Sequence, residues 1–172
     1  MLYAKGGDPD TAVELLRVSL DGMRKGRYYI FYTMFLCDLA EALGAAWSFD
    51  ESFTAVDEAL ERAISNEELW FLPEALRIKG ELDLLTGGPR SAAVAEDYFI
   101  QSLALARRQG ALSWELRSVM SLARLWQSQD RGKDARELLA PVYDRFTGGL
   151  DTVDLKAAKA LIEEIKMSPA DR

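Results

Sequence analysis

Apolar residues recur along this chain at intervals of three and four, the spacing of helices that bury one stripe. Val13, Leu16, Leu20 and Met23 share such a stripe; so do Phe53, Val56, Ala59, Leu60 and Ala63. Leu155, Ala158, Leu161, Ile162 and Ile165 form a third near the end. No stretch alternates apolar and polar residues with period two, so no strand is expected. Punctuation residues divide the chain into eight helices. Asp8 caps the first, Pro9 occupies its first turn, and Gly26 ends it after about Arg24. The second covers Tyr28 to Leu43, with Gly44 at its end, and Asp50 caps a third that runs to Ile64. The fourth runs from Leu72-Pro73 to Leu85, before the break Thr86-Gly87-Gly88-Pro89. The fifth spans Ser91 to Gln109, with Gly110 as its C-terminal cap. Ser113 caps a sixth to Ser128; Gly132 opens a seventh that Gly148-Gly149 closes. Asp151 or Thr152 caps the eighth, to Lys166. Pro141 should bend helix seven, because it cannot donate to the carbonyl of Glu137. Short connections predict antiparallel neighbours.

The helices fall into pairs that repeat. Leu39, Ala40 and Leu43 are followed by Val56 and Ala59; Gly80 by Ala95, Phe99 and Ser102; Leu122, Ala123 and Trp126 by Ala135, Leu139 and Val142. The anchors Ala40, Gly80 and Ala123 lie 40 and 43 residues apart. Periods of this size predict stacked supersecondary units, none of which can bury its apolar face alone.

This pattern resembles the tetratricopeptide repeat. The third pair matches without a gap; in the first, Ser52 replaces the usual Ala; the second carries an insertion around Gly87-Gly88-Pro89, with Asp83 where an aromatic is usual. The resemblance implies an all-α, right-handed α-α superhelix of about eight antiparallel helices. It comprises a half repeat at 8–25, repeats at 28–65, 71–109 and 113–147, and a capping helix at 151–166. Together these make one domain over 1–166, followed by a frayed tail at 167–172. Segments such as Leu72-Pro73-Glu74-Ala75-Leu76-Arg77 and Ala106-Arg107-Arg108-Gln109-Gly110 look like the C-terminal repeat regions of large bacterial regulators. In those proteins a signalling ATPase precedes the repeats, often with a nucleotide cyclase or a winged-helix DNA-binding domain. The chain contains no GxxxxGK[ST] phosphate loop, so nucleotide chemistry does not carry over.

By the same resemblance the first helix of each pair lines a concave face. Its inward residues are then Met34, Cys37 and Glu41; Glu74, Arg77, Glu81 and Leu84; Arg117, Met120, Arg124 and Gln127. Arg77, Arg117 and Arg124 could clamp a carboxylate or phosphate; the competing expectation pairs Arg77 with Glu74 and Glu81 along its own helix. Helix 1 reads as the second helix of a pair, which leaves one of its faces without a neighbour. Val13, Leu16, Leu20, Tyr28, Tyr29 and Phe31 are therefore expected at a self-association contact between two copies.

Composition narrows the chemistry. The 172 residues include no histidine and one cysteine, which excludes His-dependent triads within this chain and leaves little for a His/Cys metal site. The net charge of −7 argues against nucleic acid, although the stretch from Arg107 to Arg136 is locally basic at +4. No apolar run could span a membrane, and Met1 to Asp10 lack a signal-peptide layout, so a cytoplasmic location is expected. The reading that follows is a non-catalytic scaffold that binds a protein or peptide and needs no cofactor. The alternative is a regulatory domain that binds a small ligand and changes its curvature.

Overall fold

A computed structural model describes residues 8–149 and 151–167. Among them are eight helices and no strand: α1 (Pro9–Gly26), α2 (Tyr32–Ala45), α3 (Phe49–Ser65), α4 (Leu72–Thr86), α5 (Ser91–Gln109), α6 (Leu112–Ser128), α7 (Gly132–Tyr143) and α8 (Val153–Met167). Of the frayed tail expected at 167–172, Met167 is the last residue of α8, and residues 168–172 lie outside the described residues.

Each helix packs on the next in the chain. In addition α2 meets α4, α4 meets α6, and α6 meets α8, whereas no two odd-numbered helices pack together to a comparable extent, although Arg17 on α1 pairs with Glu51 on α3. The even helices thus form one continuous layer, and the odd helices sit behind it, each on the helices beside it in sequence.

Two apolar cores run through this arrangement. One gathers α1 to α4 around Tyr32, Leu36, Leu43, Val56 and Ile78; the other gathers α5 to α8 around Phe99, Leu116, Leu122, Leu139 and Ile165. Small residues let the layers approach. A Cβ on Gly44 would come within 2.5 Å of the Leu82 side chain, and one on Gly80 within 2.6 Å of the Phe99 ring. Hydroxyls tie the layers where helices cross: Ser52 donates to the Ala40 carbonyl at 2.7 Å, and Ser102 to the Pro73 carbonyl at 2.6 Å.

Several boundaries differ from expectation. Asp8 does cap α1, accepting from the Thr11 amide at 3.1 Å. The residue that turns the chain at its end, however, is Arg27, in the left-handed region at φ 53°, rather than Gly26. The chain then runs non-helically through Tyr28–Phe31, and α2 starts four residues late, when the Phe35 amide reaches the Phe31 carbonyl. Gly44 does not end α2 but lies inside it, where the Leu82 side chain of α4 leaves no room for a Cβ. Asp50 and Ser113 sit inside helices that begin one residue earlier without a side-chain cap. Helix α7 stops at Tyr143, well before Gly148, two residues beyond the proline that cannot continue its hydrogen bonding. Pro141 therefore stands in the last turn, where little helix remains to redirect.

Candidate binding face

The even-helix layer carries a row of charged side chains, and its centre is Arg77. The side chain of Arg77 is 4% exposed. Its Nε donates to Glu74 Oε2 at 3.0 Å and its Nη2 to Glu74 Oε1 at 2.8 Å, a bidentate pair one helical turn apart. The same Nη2 reaches Glu41 Oε1 on α2 at 2.7 Å, and Nη1 reaches Glu81 Oε1 at 3.3 Å. Arg117 on α6 joins from the other side, with Nη1 2.7 Å from Glu74 Oε1 and Nε 3.8 Å from Asp154 Oδ2 on α8. Ser121 donates to Glu81. One connected set of charges thus fastens all four even helices.

The electrostatics follow from burial and pairing. Burial alone would drive Arg77 toward neutrality, but Glu74, then Glu41 and Glu81, more than reverse this and hold it firmly protonated. Burial pushes Glu41 up; the nearby positive charges, Arg77 foremost and Arg117 among them, together more than reverse this, and the carboxyl lies below its ordinary value. Asp38 is raised by burial, with the charge of Glu41 adding to the effect. Burial likewise raises the Cys37 thiol well above its ordinary value, which keeps it a thiol.

The proposed inward residues separate into two groups. Cys37, Glu74, Arg77 and Met120 are buried, so they build the layer and do not present themselves to a partner. Arg77 and Arg117 face carboxylates of their own chain rather than standing open as a clamp. Met34 is half-buried against the first core and Leu84 against the second. Glu41 stays 17% exposed and Glu81 36% exposed beside Arg77, and Gln127 donates to Glu164 at 3.2 Å. Arg124 alone of the three arginines is exposed, and it makes no ion pair among the described residues. It borders a gap lined by Arg117, Met120, Ser121, Asp154 and Ala157, with a volume of about 20 Å³, room for roughly one water.

The residues assigned to self-association also divide. Val13 and Leu20 are buried and Leu16 is half-buried, because α1 spends its apolar stripe on α2. Tyr28, Tyr29 and Phe31 are exposed in the connector.

A larger cleft lies on the other side of the molecule. Helices α1 and α3 diverge over α2 and leave about 360 Å³, with Leu36, Leu39 and Leu43 on the floor and Arg17, Arg24, Glu51 and Glu58 on the rim. Sequence patterning missed it, because each helix pattern is complete and only the separation of α1 from α3 opens the space. Among the described residues no group of His, Cys, Asp and Glu side chains could hold a metal ion, and no helix is long and apolar enough to cross a membrane. In comparisons with known proteins, the chain matches no protein-family model and no curated protein.

Proposed function

We propose that the chain is a tetratricopeptide-like, right-handed superhelical array that serves as a non-catalytic scaffold, binding a segment of another protein along its even-helix face. Its place would be in a bacterial signalling or transcriptional regulator, acting in the cytoplasm. The observation that carries this reading is the continuous four-helix layer, stiffened from within by Arg77 and Arg117 and bordered by the exposed Arg124. A gap the size of one water suits a partner that lies across the face better than a small molecule held inside it. Arg124 is then the residue that reads an acidic side chain of the partner. Selection from a random peptide display library should yield acidic peptides on the wild type. Arg124→Glu should weaken the selected peptides at least about tenfold with an unchanged melting temperature. Equal binding by both proteins would defeat the assignment.

The outer cleft favours the second reading, a small-ligand sensor, since about 360 Å³ falls within the range of ligand pockets. A ligand there would be apolar in its body and would bias the spacing of α1 and α3. Leu39→Trp fills the floor, and on this reading it abolishes binding of an apolar fluorescent probe; unchanged binding rejects the cleft as a site.

A further inference from the structure

Six of the fourteen large apolar side chains that stand exposed among the described residues gather at one edge of the array. Tyr28, Ile30 and Phe31 come from the α1–α2 connector, Ile64 from the last turn of α3, and Leu69 and Trp70 from the α3–α4 connector. Their exposure runs from 43% at Phe31 to 62% at Ile64. Cross-links within the chain hold these segments together. The Arg62 guanidinium lies 4.8 Å from the centre of the Tyr29 ring and 3.6 Å from a Glu68 carboxylate oxygen, and Thr33 donates to Glu68. Single exposed apolar residues are normal, but a fixed, contiguous group of them marks an interaction surface.

The charges at this edge say what covers it. On the α1 side Arg24, Lys25 and Arg27 are exposed, with Lys25 paired to Asp21; on the α3 side Glu61 and Glu67 are exposed, while Arg62 is paired with Glu68. Arg27 and Glu67 occupy matching places, each in the left-handed region just past the end of an odd helix, at φ 53° and 56°. Neither makes an ion pair among the described residues. An anionic lipid surface or a polyanion would call for one sign across the patch. A patch with opposite signs on either side of an apolar centre is instead complementary to itself after a two-fold rotation. We propose that this edge is an isologous interface with a second copy of the chain, with Arg27 of each copy facing Glu67 of the other. The even-helix face lies outside this contact, so the pair would present two binding faces and bind a bivalent partner with a gain in avidity.

Charge reversal tests the pairing. Sedimentation equilibrium over about 1–100 μM should show the wild type moving from 19.2 kDa toward twice that mass. Arg27→Glu alone and Glu67→Arg alone each place like charges opposite one another twice, and each should raise the dimer dissociation constant at least about tenfold. An equimolar mixture of the two variants restores both unlike pairs and should dimerise as the wild type does. Circular dichroism checks that each variant keeps its helices. The proposal is overturned if the wild type stays at one-chain mass throughout, if the single variants dimerise normally, or if the mixture fails to recover. Arg27-dependent binding to phosphatidylserine vesicles by a monomeric wild type would assign the edge to lipid and also overturn it.

Discussion

Arg77→Met should lower the stability of the chain by about 3–5 kcal/mol, the usual consequence of removing one partner from a buried ion pair. For a chain of this size the melting temperature falls on the order of 10 °C. The reason is the number of groups left behind. Glu74 is 3% exposed and Glu41 17% exposed; Glu74 loses its bidentate partner and keeps Arg117, and Glu41 loses the guanidinium 2.7 Å away. The loss also depends on pH in a defined direction. In the wild type Glu41 lies below its ordinary value, so its stabilising contribution is fully present above that value and disappears as the pH falls through the folded-state value. In Arg77→Met the strongest of the opposing charges on Glu41 is gone, Arg117 still offsets part of the burial, and the pKa of Glu41 moves up from its wild-type value. The variant should therefore regain stability relative to the wild type as the pH falls from about 7 to about 5. Urea melts across this range measure the difference, and a gap that stays constant would contradict the role given to Arg77.

Phe99→Ala should cost about 3–5 kcal/mol, because the ring is fully buried and its removal leaves a cavity. Gly80→Ala acts on the same contact from the opposite side. A Cβ at position 80 meets the ring at 2.6 and 3.0 Å and the Ala95 carbonyl oxygen at 3.2 Å. The gain in helix propensity, about 1 kcal/mol, is smaller than the cost of overpacking, about 1–3 kcal/mol, so a net loss is expected. In the Phe99→Ala background the same substitution fills vacated space and should be close to neutral. A double-mutant cycle then gives a coupling of about 1–2 kcal/mol. Additive effects would mean that α4 and α5 do not meet as described.

Helix content was legible in the sequence because periodicity and punctuation agree over most of the chain. The failures are local and have physical causes. Tyr28 to Phe31 continue the apolar pattern of α2, so periodicity extends the helix over residues that instead form the connector after Arg27. Gly44 reads as a terminator when considered alone. Its real constraint is the side chain of Leu82, which lies on α4, 38 residues further along the chain, and is invisible to local reading. The charged network is a similar case. Counting from Ala40, Gly80 and Ala123 places Glu41, Glu81 and Arg124 at equivalent positions, with Cys37, Arg77 and Met120 one turn before them. That register brings the right residues to one face. It does not say that Arg77 reaches diagonally to Glu41 on α2, or that Arg117 closes on Glu74 rather than facing outward. Those choices depend on side-chain direction and on burial, neither of which is encoded in spacing. The outer cleft depends on how far α1 and α3 diverge, which no single helix pattern specifies.

The proposed binding role rests on which surface a partner touches. An acidic peptide selected on the wild type, titrated into isotope-labelled protein, should shift the amide NMR signals around Glu41, Glu81, Arg124 and Gln127 and leave those of Arg17, Glu51 and Glu58 in place. Shifts confined to the α1–α3 cleft, with the even-helix signals unmoved, would contradict the proposed binding face.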